Sequence, residues 1–273
     1  MHIKKLFYRC IFLPILVSIL VACGSKSDQT PELDMALIPA GSFMMGSESG
    51  YKDESPVHEL YLDAFYIDVY EVTNEWYAEC VAQGACKPPE DYGSYTRESY
   101  YDDPKYATYP VIYVSWLDAH SYCEWRNDRL PTEAEWEKAA RGELEGKLYP
   151  WGDELDDGER ANFCDQNCTI DWADESYDDG YPDTAPVGSY NPNGYGLYDM
   201  AGNVWEWVAD WYGENYYASS PSENPQGPSS GEYRVMRGGS WSYYPDSIRS
   251  AYREWDYPDV TLNYAGFRCA SSP

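Results

Sequence analysis

The sequence predicts an α+β domain built from short strands, a few helices and long ordered loops. Three observations predict it. Residues 33–70 hold only short strand-like runs separated by turn residues, residues 115–142 hold two helices each opened by a capping box, and beyond Leu148 no helical period returns. At 273 residues with no internal break in composition, one large domain accounts for the chain.

Taken in order, residues 33–45 read as a strand, a Pro-Gly turn and a second strand. Residues 59–70 alternate aromatic and polar side chains and read as one further strand. Thr73 caps a helix that runs to about Val81 and is ended by Gly84. Residues 87–109, rich in Tyr, Pro and Asp and without an apolar period, read as a surface insert. Ser115 and Asp118 open a helix from Trp116 to about Arg126, which places Trp116, Ala119, His120 and Cys123 on one face. Thr132 and Glu135 open the next, from Glu133 to Arg141, stopped by Gly142, with Trp136, Ala139 and Ala140 on a shared face.

Residues 1–22 read as a signal peptide: Lys4, Lys5 and Arg9 precede an apolar run, residues 10–20, that is too short to span a membrane. Leu20, Val21 and Ala22 lead into Cys23 as in a bacterial lipobox, so residues 23–34 are expected to be a lipidated flexible linker and residues 35–273 the folded domain. Export with lipid attachment to the cell envelope follows. Gly24 after the cysteine, by similarity to lipoprotein sorting in Gram-negative bacteria, favours the outer membrane. Loss of three cationic residues and no acidic one takes the net charge from −28 to −31, which argues against nucleic acid as a partner and leaves the lipid as the membrane contact.

One stretch stands apart. Residues 194–211, GYGLYDMAGNVWEWVADW, pack five aromatic rings and three glycines around Asp199, Asn203 and Glu206, and read as a buried, irregular crossing point. Carboxylates among such rings are costly unless backbone N–H groups or a metal ion meet them.

GLYDMAGNVWEW, together with VSWLDAHSYCEWRNDRLPTEAEWEKAARG, YPWGD, DTAPVGSYNPNGYG, RVMRGGSW and GFRC in that order, resembles the formylglycine-generating enzyme or sulfatase-modifying factor family over about residues 35–269. The resemblance implies a C-type-lectin-like fold of short twisted strands. It also implies two calcium sites, one using Asn162, the carbonyl of Phe163, Asp179 and the carbonyl of Tyr181, the other Asp199, the carbonyls of Gly202 and Val204, and Glu206. The residues offer such ligands themselves: between Asp153 and Asp183 there are twelve acidic residues and one basic one, Arg160, a run that a solvated acidic surface would also explain.

After Cys10 and Cys23, six cysteines remain. Cys80 with Cys86, and Cys164 with Cys168, are close enough in sequence to close local loops, although the latter pair could also be half of a zinc site. Cys123 with Cys269 matches a bridge of the family.

The family's best-known activity oxidises a sulfatase cysteine to formylglycine at two redox-active cysteines that hold copper, three and eight residues after the serine of RGGS. Counting from Ser240, those places hold Tyr243 and Ile248, and neither side chain can ligate Cu(I). His2, His58 and His120 are too few for an iron centre once the first leaves with the signal; His120 is expected as a packed core residue and His58 as a loop or strand-edge residue. The resemblance leaves a groove framed by Trp205, Ser240, Trp241, Arg249, Arg253 and Arg268, in which the arginines either pair with buried carboxylates such as Glu206 or contact a ligand. Tyr243, Tyr244, Trp255 and Tyr257 read as contact residues. The expectation is an envelope lipoprotein that binds a protein or peptide in this groove, with structural calcium and without copper. The alternative is a protein-modifying oxidoreductase that keeps the family reaction by another route or performs a different one there.

Overall fold

The computed structural model describes residues 34–155 and 160–273. The expected signal peptide and Cys23 lie outside the described residues. Strands β1 (Met35–Ile38) and β2 (Gly41–Met45) flank the Pro-Gly turn as expected. Residues 59–70 instead supply two strands, β3 (His58–Leu62) and β4 (Phe65–Asp68). The reason is a change of partner: Leu62 lies opposite Gly41 of β2, whereas Phe65 lies opposite Ile38 of β1, so the chain switches sheets at Asp63 and Ala64.

Helices α1 (Asn74–Ala82), α2 (Trp116–Trp125) and α3 (Glu133–Arg141) begin where their caps place them. The Ser115–Asp118 and Thr132–Glu135 boxes are both closed, and Gly142 ends α3 with φ +55°, a left-handed conformation that suits glycine. All nine residues of α3 are buried, including Glu133, Glu137, Lys138 and Arg141, because its polar side chains are consumed by internal pairs. On α2, His120 departs from the packed position expected of it. Its ring stacks on Trp116 at 4.9 Å and Nε2 lies 3.5 Å from Glu124, both side chains partly open to solvent.

Beyond α3 the described residues form short strands, single 3-10 turns and loops. Strands β5 (Trp205–Trp211), β6 (Arg234–Arg237), β7 (Glu254–Asp256) and β8 (Ala265–Gly266) make a sheet in the order β7-β6-β5-β8, with β8 parallel to β5. Strand β9 (Ala270–Ser271) pairs with β4 on the edge opposite β1, which seats the carboxyl end in the sheet order β1-β4-β9. The crossing expected over residues 194–211 is therefore irregular only in its first part. Asp199, Gly202 and Asn203 take φ of +56°, +79° and +63°, and the chain then enters β5. A Cβ at Gly202 would lie 2.2 Å from the carbonyl oxygen of Asn162, so glycine is required at this close approach.

Strand β5 divides the core. Trp205 and Trp207 pack with Tyr77, Tyr122 and Phe267 on one face, while Val208 packs with Trp136, Phe65 and Ile67 on the other. The 87–109 segment is only partly a surface insert. Tyr100 is wholly buried and donates its hydroxyl to the carbonyl of Pro110 at 2.6 Å, and Arg97, ringed by Tyr100, Tyr106 and Tyr109, pairs with buried Asp183. Three disulfides, Cys80–Cys86, Cys123–Cys269 and Cys164–Cys168, match the expected pairing.

Candidate binding cleft and cation sites

An open cleft of ≈ 340 Å³ lies over the end of β6. Its floor and one wall are Trp241, Ser242, Tyr243 and Tyr244, with Asn263 and Tyr264 beside them. The opposite wall comes from two irregular segments: Tyr95 of the 87–109 stretch, whose ring lies 5.2 Å from that of Trp241, and Ile170 and Trp172 of the acidic stretch. Trp172 is anchored there by its Nε1, which donates to the carbonyl of Ser242 at 2.9 Å. Beneath the floor, Trp205 meets Tyr243 edge-on at 5.4 Å, and Ser240 is buried with its Oγ 3.1 Å from that of Ser242. Burial and the adjacent Tyr264 push the Tyr243 phenol up, so it remains neutral.

The two positions that hold cysteines in the copper-using enzymes are separated by depth. Tyr243 lines the cleft, whereas Ile248 is wholly buried against Tyr149, Phe163 and Ala201. All six cysteines among the described residues are in disulfides, so the residues at hand do not fit a Cu(I) site.

The arginines take internal roles. Arg249 grips Glu54 with both terminal nitrogens, at 2.6 and 2.7 Å, and Asp246 with Nε. Arg253 grips Glu133 at 2.6 and 2.9 Å, and Arg268 grips Glu206 at 2.7 Å through both Nε and Nη2. Arg249 and Arg253 are thus not brought to the aromatic cleft; their planar forks hold the 46–54 loop and the start of α3 against the sheet. Trp255 and Tyr257 lie outside the cleft as well: Trp255 stacks on Tyr212 at 4.1 Å.

The calcium ligands implied by the resemblance divide in a similar way. Asp199 is buried, accepts from the Gly188 N–H at 2.7 Å through Oδ2, and leaves Oδ1 without a partner. Burial pushes its carboxyl up to about 6, with Glu206 adding to the rise. Asn162 is wholly buried and its Oδ1 also lacks a partner. Asp179 accepts from the N–H groups of Phe163 and Tyr181, both at 2.9 Å, yet burial, reinforced by Asp165, pushes it up to about 8. Orphaned buried oxygens and unneutralised carboxylates are what a cation would satisfy, so Asn162, Asp179 and Asp199 fit calcium. Glu206 fits less well, because both of its oxygens already accept from Arg268, one also from Trp136 Nε1 at 2.8 Å. Among the described residues no three His, Cys, Asp or Glu side chains gather as a metal cluster, so a cation here would depend on amide and carbonyl oxygens too.

Asn203, singled out with Asp199 and Glu206 in the aromatic stretch, is joined in the structure by a residue the sequence does not single out, Glu71. Asn203 Oδ1 accepts from Ala185 N–H and Asn162 Nδ2, and its Nδ2 donates to Glu71 Oε2 at 2.6 Å. Glu71 is wholly buried, and burial first, then Asp199 and Glu206, push its carboxyl well up. A signal for Glu71 was present: it continues the inward phase of Phe65 and Ile67 past the strand end.

A family model described as the sulfatase-modifying factor enzyme 1-like domain matches residues 22–273, and the chain belongs to this family. It is similar to serine/threonine-protein kinase pkn1 of Chlamydia caviae, 40% identical over 249 residues covering 87% of this chain. The chain spans only 38% of that relative's length. It is also 40% identical to the formylglycine-generating enzyme of Streptomyces coelicolor, covering 86% of this chain and 88% of that enzyme. Among solved structures, PvdO from Pseudomonas aeruginosa superposes with a TM-score of 0.72 at 30% identity, covering 88% of this chain and 94% of that one.

Proposed function

We propose that this chain is an exported lipoprotein, anchored through Cys23 in the bacterial envelope with the outer membrane favoured, whose domain binds a protein or peptide in the aromatic cleft and does not convert cysteine to formylglycine. One observation carries the reading: Tyr243 and Ile248 occupy the places of the two copper-holding cysteines, and every described cysteine is already bridged. Thiolates are the soft ligands that Cu(I) requires, and a phenol and a buried alkyl group do not replace them. What remains is a cleft walled by tyrosine and tryptophan on irregular loops, which gives large, rigid contact area at small entropic cost. Calcium in this reading is structural: it fills the oxygens left open at Asn162 and Asp199, neutralises the buried Asp179 carboxylate and fixes the loops behind the cleft.

Retention of an oxidase activity is the reading that 40% identity to the Streptomyces enzyme supports. A Cu(I) titration separates the two. With a colorimetric Cu(I) chelator as competitor, the folded domain should withdraw no more copper than the same protein alkylated under non-reducing conditions. Stoichiometric Cu(I) uptake that alkylation abolishes would overturn the proposal and establish a thiolate centre.

A further inference from the structure

The Cys164–Cys168 loop contributes a carboxylate that the family resemblance does not supply. Asp165 sits inside the bridged loop and is wholly buried, whereas Asp171, Glu175 and Asp178 of the same stretch are exposed. Its carboxylate accepts from the Asn167 N–H at 2.7 Å, from Asn167 Nδ2 at 3.1 Å, and from the N–H of Asp179. Asp179, buried in turn, has its own carboxylate fixed by the N–H groups of Phe163 and Tyr181. Neither acid forms an ion pair with a lysine or arginine among the described residues, although the two stand side by side out of water. Adjacent buried carboxylates are costly unless something positive lies between them. A second, independent observation points the same way: Asn162, one residue before Phe163, is wholly buried with an unpartnered Oδ1.

We propose that Asp165 is a further protein ligand of the first cation site, joining Asn162 and Asp179 so that two carboxylates hold one calcium ion. The inference rests on the calcium reading given above and adds the residue that sets the affinity, since affinity for Ca²⁺ grows with the charge its ligands supply. It also gives the short disulfide a task. The bridge closes a turn in which the Cys168 N–H donates to the Asp165 carbonyl at 3.1 Å, and the Cys164 N–H donates to the Tyr243 carbonyl at 2.8 Å. An ion held by Asp165 therefore braces the cleft wall that carries Ile170 and Trp172.

The test is calorimetric calcium titration of the chelator-stripped domain, which should show two ions per chain. Asp165→Asn should weaken one of the two by about tenfold or more, while the second ion binds as before and thereby reports a folded protein. Glu175→Gln, an exposed change in the same stretch, should leave both unchanged. Should Asp165→Asn not fold, Asp165→Ser, with a shorter neutral oxygen, is measured in the same way with the same expectation. Two ions bound with undiminished affinity in the folded Asp165 variant would overturn the assignment and leave the calcium reading intact. No ion bound by the wild-type chain would overturn that reading and this one with it.

Discussion

Removing the Cys123–Cys269 bridge should be far more damaging than removing either of the others, and the difference can be worked out from where the bridges lie. Their partners are separated by 146 residues, against 6 for Cys80–Cys86 and 4 for Cys164–Cys168. In the chain-entropy model the loss on opening a loop grows with the logarithm of its length, which gives about 5 kcal/mol for the long bridge and about 2 kcal/mol for each short one. The native state adds to the first figure. Both cysteines are fully buried, and Cys269 exchanges hydrogen bonds with Asp68, its N–H donating to Oδ2 and its carbonyl accepting from the Asp68 N–H, each at 2.9 Å. Asp68 is in turn held by a two-pronged contact from Arg126 at the end of α2. The double variant Cys123→Ala/Cys269→Ala should melt about 10–20 °C below wild type in a non-reducing thermal scan, at about 2–4 °C per kcal/mol for a domain this size. The corresponding Cys80/Cys86 variant should fall by less than half of that. Equal losses from the long bridge and from Cys80–Cys86 would refute the argument from loop length.

Two other perturbations follow from the buried polar groups. If calcium fills the open oxygens, chelation should lower the melting temperature, added Ca²⁺ should restore it, and Asp199→Ala, which removes one of the two sites, should reproduce part of that drop; an unchanged curve in chelator would rule the ion out. Asp210 is buried beside Glu133, and burial first, then that neighbour, push its carboxyl up to about 8. Its folded-state value thus lies above the unfolded one, so the wild type should lose stability relative to Asp210→Asn as pH rises from about 4 to 8, with no further divergence above. Denaturant midpoints measured across that range check the sign, and a difference that shrinks as pH rises would contradict it.

Helices α1, α2 and α3 were legible because their caps are local: Thr73, Ser115 and Thr132 each bind an N–H three residues on, and no distant residue decides it. Strand β5 was hidden. Both of its faces are buried, so Glu206 breaks the apolar reading on the inside, and only Arg268, 62 residues away, neutralises it. The division of residues 59–70 was equally invisible, since the alternation runs unbroken across Asp63 and Ala64 and only the choice of partner strand separates β3 from β4. At the cleft, Trp241, Tyr243 and Tyr244 were identified from the motif they follow, while Tyr95, Ile170 and Trp172 come from segments whose composition reads as surface. Arg249 and Arg253 could have been either structural or ligand-facing by sequence; their carboxylate partners, Glu54 and Glu133, lie 195 and 120 residues away.

The proposal that this domain binds without oxidising cysteine is tested most directly by chemistry on a peptide. The folded domain, supplied with copper, oxygen and a peptide containing Cys-x-Pro-x-Arg, should leave the cysteine mass unchanged beyond the copper-only background, because Tyr243 and Ile248 provide no thiolate to hold the metal or to form a mixed disulfide. Appearance of the formylglycine mass above that background, lost on unfolding the domain, would contradict the account.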